Sequence, residues 1–471
     1  MTQTMLKFAR IPGKMPQKRD SKLRSADFDE VYQNYLETKA REQASRCSQC
    51  GVPFCQNHCP LQNNIPDWLQ LAAEGQMEQA YRLSAQTNFM PEICGRICPQ
   101  DRLCEGACVV EQSGHGTITI GAIEKHLTDT AWANGWVTPL RPRMERNLSA
   151  GIVGAGPAGL AAAEHLRELG WQVSVYDRYD RAGGLLMYGI PNFKLDKDIV
   201  QRRIKRLQDG GIQFVLNTEI GRDISLADLR AKHQAVLLAI GVYAAHRLGV
   251  PGSEGVGTIE ALPYLVRANK RGLGDQVSAQ TAKGKKVVVV GGGDTAMDCV
   301  RTAIREGADT VTCLYRRDEA NMPGSHREMV NAQEEGVDFS WLAAPNRIVV
   351  KNDKVQALQV SRMQLGQRDS SGRQSFSVIA DEDFKLEADL VIEALGFAPE
   401  ELSKIAPDLK LSPWKTVEVH PTRFETSLSG VFAAGDIVRG ASLVVWAIRE
   451  GRDAAKAMHV HLLAQQAEAQ T

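Results

Sequence analysis

The sequence predicts a mixed α/β molecule: a helical N-terminal domain, then two doubly wound parallel-sheet domains, the second inserted within the first. Three observations predict this. Eight of the ten cysteines crowd into two short stretches ahead of Val109. Two strand–glycine–helix–strand units follow, one opening near Asn147 and the other near Val287. Further strand-to-glycine junctions then return at Asp389–Gly396 and Val431–Asp436, the last of them rejoining the first sheet.

Size and charge frame the expectation. A chain of 471 residues is too long for one core, and about three domains are expected. Lys plus Arg and Asp plus Glu both number 56, so no net charge draws the chain to nucleic acid or anionic membrane. The Lys- and Arg-dotted start, Met1–Arg24, has no apolar segment of signal-peptide length, and no run reaches membrane-spanning length. A cytoplasmic protein is expected. In a reducing compartment, grouped cysteines read as metal ligands before they read as disulfides.

The first block carries short helical patterns. Pro66 stands near the start of a helix beginning at Ile65, and Ile120, Ile123 and Leu127 recur at helical spacing within 118–131. Between these patterns lie Cys47, Cys50, Cys55 and Cys59, spaced C-x2-C-x4-C-x3-C, and Cys94, Cys98, Cys104 and Cys108, spaced C-x3-C-x5-C-x3-C. Four soft thiolates on a bent backbone hold an iron–sulfur cluster, and Pro53, Pro60 and Pro99 supply bends. Zinc also takes four cysteines, but it favours paired C-x2-C spacings and only Cys47/Cys50 has one. Eight thiols suggest two 4Fe-4S clusters. Spacing leaves open which thiol serves which cluster, including a crossover by Cys59 and Cys108. It also leaves room for a non-cysteine ligand, for which Glu124 is the candidate.

The next element is a nucleotide fingerprint. Ile152-Val153 runs into Gly154-x-Gly156-Pro157-Ala158-Gly159, a helix follows, and the next strand ends at Asp177. The first glycine allows the turn, the second lets backbone approach a pyrophosphate, and the third lets helix and strand close up. Asp177 is expected on the adenosine ribose, and Gly183-Gly184 beside the pyrophosphate. The second unit repeats this grammar as Gly291-x-Gly293-Asp294-Thr295-Ala296, but its second strand ends in Arg316-Arg317 instead of an acid. Arginine pairs bidentately with phosphate, which favours NADPH over NADH by about 1.5–3 kcal/mol. Asp294 and Thr295 are expected near the nicotinamide side. Gly435-Asp436 would meet the flavin's ribityl or phosphate region, with the helix after Ser442 aimed at the isoalloxazine. Cys299 and Cys313 read as core residues too far apart for a C-x-x-C redox pair. The dispersed histidines form no proton-transfer constellation, so the cofactors are expected to carry the chemistry. Rossmann-like domains are therefore expected at 146–285 and 396–471 for FAD, with 286–395 for NADPH and 1–145 for the clusters.

With these motifs in place, the chain resembles the small (β) subunits of bacterial NADPH-dependent glutamate synthases. Cys47–Pro60, Pro91–Gly106, Gly291–Arg301, Tyr315–Glu319, Asn321–Ser325 and Phe432–Gly440 carry the likeness. The N-terminal half of dihydropyrimidine dehydrogenase shares the architecture. The resemblance implies FAD on Gly154, Gly156, Ala158, Gly159, Asp177, Gly183, Gly184, Lys194, Gly435 and Asp436. It implies NADPH on Gly293, Asp294, Thr295, Arg316, Arg317 and the Ala394-Leu395-Gly396 junction. It supports Glu124 as a cluster ligand, because a glutamine takes that place in dihydropyrimidine dehydrogenase, and so questions Cys94. It implies an electron-input subunit serving a large FMN-bearing partner that makes two L-glutamates from L-glutamine and 2-oxoglutarate. After loss of Met1 this chain would start on Thr2, not on the N-terminal cysteine such glutaminases use. The alternative expectation is an NADPH:ferredoxin-type oxidoreductase with another acceptor.

Overall fold

A computed structural model describes residues 4–278, 282–368 and 374–468. Among them no helix is long and apolar enough to cross a membrane. Met1 and Thr2 lie outside the described residues.

The N-terminal domain is helical, with its main helices at Glu37–Ala44, Ile65–Glu74, Met77–Ala85, Pro91–Ile97 and Ile120–Ala133. Pro66 occupies the first turn of its helix, where a missing N–H costs no hydrogen bond, and Gly75 ends it at φ +85°. Ile65, Trp68, Leu69 and Ala72 fall on one face and bury themselves against Ile120, Ile123 and Leu127. The Trp68 indole N–H donates to Asn63 Oδ1 at 2.7 Å, so its burial leaves no polar atom unpaired. Cys47, Cys104 and Cys108 sit in this same core.

The first parallel sheet begins with β1 (Ser149–Val153), β2 (Gln172–Tyr176), β3 (Gln213–Val215) and β4 (Ala235–Leu238). A short ribbon strand, β5 (Ala244–Ala245), then leads out to the second sheet. That sheet draws on β6 (Thr258–Glu260), β7 (Lys286–Val290), β8 (Thr310–Tyr315) and β9 (Asp338–Trp341). An antiparallel excursion follows: β10 (Ala343–Lys351), β11 (Lys354–Arg368) and β12 (Gln374–Glu387). The chain re-enters the second sheet as β13 (Leu390–Glu393), returns through β14 (Phe397–Ala398), which pairs with β5, and completes the first sheet with β15 (Val431–Ala433). The two parallel sheets have orders β15-β4-β1-β2-β3 and β6-β13-β7-β8-β9. One doubly wound unit is thus inserted in another, joined by an antiparallel ribbon. Strands such as β7 and β13 are buried along almost their whole length, because helices cover one face of their sheet and β10 and β11 cover the other, where Val288, Val290 and Val391 pack against Ile348, Leu358 and Val360.

Three features depart from the sequence expectation. The second sheet starts well before residue 286: its edge strand β6 pairs with β13, and the helix Ala261–Gly272 buries Tyr264 and Leu265 in the same core as Val287 and Val289. A three-residue strand carries too little periodicity to be read. The β10–β12 excursion was not anticipated, since β12 alternates among exposed polar residues and reads as loop. Finally, Gln465–Thr471 read from the sequence as a frayed end, yet the helix Val444–Glu468 runs through the first four of them; the last three residues lie outside the described ones.

Candidate functional site

A cleft of about 620 Å³ opens where the first sheet's strands end. Gly154 turns there at φ +106°, and a Cβ on it would lie 2.3 Å from the Ala239 carbonyl oxygen. A Cβ on Gly159 would lie 1.9 Å from the Gly154 carbonyl, so the helix Pro157–Glu168 can seat only with glycine at that point. Gly156 has nothing within 4 Å of its would-be Cβ and leaves its backbone open to a ligand. Pro157 and Ala158 join it in lining the cleft. Gly183 and Gly184 fold onto this turn through a Gly183 N–H bond to Ala155 O at 2.9 Å.

Asp177 directly follows β2 in the cleft wall, accepting hydrogen bonds from the Ala155 and Tyr179 N–H groups at 2.7 and 2.9 Å. Burial raises its carboxyl above the ordinary value, with those two bonds opposing. Across the cleft, Gly435 N–H donates to Glu450 at 3.0 Å, and Asp436 accepts from the Ser442 hydroxyl at 2.6 Å. Ser442, Leu443, Val444 and Ala447 line the cleft where the C-terminal helix starts. The sequence reading missed a second wall. Arg178 stacks 4.8 Å from the Tyr243 ring centroid and pairs with Glu400 at 2.9 Å. The glycine after β4, Gly241, was the available signal for Tyr243. Lys194 is not among the cleft-lining residues; its ammonium pairs with Asp298 of the inserted unit at 2.8 Å.

The inserted unit repeats the turn. A Cβ on Gly291 would lie 2.2 Å from the Ala394 carbonyl, where the Ala394-Leu395-Gly396 junction crosses, while Gly293 faces open space. Asp294 and Thr295 begin the helix Asp294–Arg305, and Asp294 accepts from the Ser325 N–H at 2.9 Å. The two arginines after β8 differ: Arg316 is exposed, whereas Arg317 is 6% exposed and donates from Nε to the Gln374 carbonyl at 3.1 Å. Cys299 and Cys313 are buried in this unit's core.

The eight grouped cysteines are all free thiols, and their grouping in space differs from their grouping in sequence. Cys47, Cys50, Cys55 and Cys108 surround one small cavity. Cys59 lies instead with Cys94, Cys98 and Cys104, close enough for their charges to interact, and Glu124 is in the same group. Burial pushes the Cys47 thiol up to about 11, the Cys55 thiol up to about 12, and those of Cys94, Cys98 and Cys104 well above the usual value. Glu124 is buried too. Its carboxyl accepts from Asn88 Nδ2 at 3.1 Å and Ser84 Oγ at 3.4 Å, while burial pushes it up to about 8. Asn88 also accepts from the Cys94 thiol at 3.7 Å. Two sets of soft, largely buried thiol donors are the ligand type that iron–sulfur clusters take, while among the described residues no three His, Cys, Asp or Glu side chains are arranged to hold a single metal ion. Ile97, the residue before Cys98, lines the dinucleotide cleft. The second thiol group and the cleft therefore share a wall.

Comparison with known proteins agrees with both halves. Residues 24–136 match the family model for dihydropyrimidine dehydrogenase domain II, 4Fe-4S cluster. Residues 149–451 match the pyridine nucleotide-disulphide oxidoreductase family. The glutamate synthase (NADPH) small chain of Azospirillum brasilense is 57% identical, covering 98% of this chain and 96% of its own length. The corresponding small chain of Escherichia coli is 44% identical over 97% of this chain and 98% of its own. FprA of Mycobacterium tuberculosis, solved with NADPH, shares the fold with a TM-score of 0.59 at 20% identity, over 69% of this chain and 86% of that one. A cysteine-rich helical domain fused to a doubly dinucleotide-binding fold, similar at this level along nearly the whole chain, places the protein as an oxidoreductase of the glutamate synthase (NADPH) small-chain family.

Proposed function

We propose that this chain is the electron-input subunit of a glutamate synthase, taking electrons from NADPH at the inserted unit and delivering them one at a time to a larger FMN-bearing subunit. In this reading FAD occupies the first cleft, on Gly154, Gly156, Ala158, Gly159, Asp177, Gly183, Gly184, Gly435 and Asp436. NADPH lies along Gly291, Gly293, Asp294, Thr295 and the Ala394–Gly396 junction, with Arg316 and Arg317 at the ribose phosphate. Cys47, Cys50, Cys55 and Cys108 hold one 4Fe-4S cluster, and Cys59, Cys98, Cys104 and Glu124 hold the other. When bound, these groups supply the two-electron to one-electron conversion that no amino-acid side chain provides. The chain's own residues orient them: glycine backbone admits the phosphates, Asp177 and Asp436 meet polyol hydroxyls, and the helix starting at Val444 offers its N-terminal amides.

The observation that carries this reading is that Ile97, next in the chain to Cys98, lines the cleft. Cys94 and Cys98 also pack in the same core as Ala158, Leu186 and Ala447, which line that flavin-sized cleft. The test is anaerobic isolation of the native complex. A large co-purifying subunit and NADPH oxidation that requires both glutamine and 2-oxoglutarate would support the proposal. NADPH oxidation by the chain alone, with no partner and no glutamine requirement, would favour the ferredoxin-type alternative. Stoichiometric zinc in place of iron and labile sulfide would defeat both.

A further inference from the structure

The β11–β12 hairpin touches the nucleotide-reading end of the inserted unit. Side chains alternate along a strand, so Gln374 and Phe376 share one face of β12 and Ser375 takes the other. That shared face meets the two arginines after β8. The Phe376 ring centroid lies 4.6 Å from the Arg316 guanidinium carbon and 5.1 Å from that of Arg317. Arg317 is fixed further: its Nε donates to the Gln374 carbonyl, and its own carbonyl accepts from Leu342 N–H at 3.0 Å. Leu342 in turn accepts from the Met363 N–H of β11 at 2.8 Å. The Gln374 side chain accepts from Asn321 Nδ2 at 2.9 Å, and Asp318 accepts from the same amide at 2.6 Å. The hairpin is thus tied to Arg317, to Asn321 and, by ring stacking, to both guanidinium groups.

We infer that this hairpin belongs to the cofactor-selecting device, with Phe376 as the positioning residue that pre-orders Arg316 and Arg317 for a phosphomonoester on the adenosine ribose. The inference rests on the reading of the inserted unit as the NADPH site. An unconstrained arginine loses side-chain entropy when it clamps a phosphate. Stacking on an aromatic ring removes part of that loss beforehand, and it engages the guanidinium face, leaving recognition of a phosphate to the edge. Arg317, buried and bonded to the hairpin, sets the spacing, while the exposed Arg316 extends to the ligand. A dinucleotide without the ribose phosphate gains nothing from this arrangement. The hairpin therefore acts on the preference between cofactors.

The test uses the intact holoenzyme, a dye acceptor, and NADPH or NADH as donor. In Phe376→Leu the ratio of kcat/KM values for NADPH over NADH should fall about two- to fivefold. The fall should come through the KM for NADPH with kcat held. Inhibition by adenosine 2′-monophosphate should weaken in parallel, and inhibition by adenosine 5′-monophosphate should not. Phe376→Tyr keeps a stacking ring and should restore both readouts. The control is Arg316→Ala combined with Arg317→Ala. If that variant loses its NADPH preference while Phe376→Leu keeps the wild-type ratio and inhibition, the hairpin's role is overturned. If the double variant itself keeps the preference, the placement of the ribose phosphate fails, and the inference falls with it.

Discussion

Glu124 and Cys94 lie in the same buried thiol group, and in the proposed arrangement one of them completes the second cluster. Asn88 bonds to both, so the two side chains are held on either side of a single amide. A cluster with three ligands from Cys59, Cys98 and Cys104 needs one more donor. In the proposed arrangement a carboxylate buried with only two neutral hydrogen-bond donors gains most from ligating iron, since the metal offsets the charge that burial penalises. Glu124→Ala should therefore lower the iron content from about eight to about four atoms per chain. Cys94→Ser should leave both clusters in place and change only the surroundings of one. Iron and sulfide assays with low-temperature EPR of the reduced protein decide the matter, and full iron in Glu124→Ala would transfer the role to Cys94. How much of this was legible in the sequence depended on the residue. The eight thiols stood out by spacing. The crossover of Cys59 and Cys108 was one arrangement the spacing allowed, and Cys108 does join Cys47, Cys50 and Cys55; spacing alone left it open because it is blind to where a helix turns the chain back. Arg317 illustrates the same limit: the sequence places it beside Arg316, and only the β11–β12 hairpin shows that one is buried and the other exposed.

At the scale of elements, the fingerprint turn is the most demanding piece of backbone. A Cβ on Gly159 would fall 1.9 Å from the Gly154 carbonyl. Gly159→Ala must push the helix Pro157–Glu168 off β1, and overpacking of this kind costs about 1–3 kcal/mol. The same shift moves the helix N-terminus away from the proposed pyrophosphate. We expect the variant to lose flavin during gel filtration and to melt at a lower temperature. Flavin absorbance after desalting measures the first effect and a thermal melt the second; a variant that keeps wild-type flavin and stability would rule out the close packing. Elements of this type were readable because strand, glycine turn and helix each impose a residue pattern. β6 and β12 were not. The first is three residues long, and the second is an edge strand mostly of exposed residues, paired among the described residues with β11 alone. Lys194 was assigned to the flavin by resemblance; its bond to Asp298, in the helix Asp294–Arg305, joins the two units across 104 positions, a pairing no local pattern encodes.

Across the whole molecule, a buried ionic network joins the N-terminal segment to the inserted unit. Arg24 pairs with Glu335 at 3.0 Å and Glu334 at 2.6 Å, while Arg301 and Arg305 reach Glu335 at 2.8 and 2.6 Å. A second tie, Arg327 to Glu105 at 2.6 Å, lands beside Cys104. Both ties brace the inserted unit against the thiol-bearing domain, so rotation of that unit would have to break buried charge pairs. Burial alone would raise the Glu335 carboxyl, yet the hydrogen bonds and charges of Arg301 and Arg305 override it and hold the group at about 2. A carboxyl lower in the folded chain than in the unfolded one binds fewer protons when folded. Its contribution is complete above the ordinary value of 4.5 and is lost as pH falls through about 2. That contribution is on the order of 3 kcal/mol. Glu335→Gln removes the titrating group and leaves buried arginines short of a counter-charge, so it should destabilise by about 3–5 kcal/mol at neutral pH. It should also flatten the rise in unfolding rate between pH 4.5 and 2. Tryptophan fluorescence after rapid acid jumps reads that rate in both proteins. Parallel pH profiles for the wild type and the variant would show that Glu335 is not the group whose protonation loosens the brace.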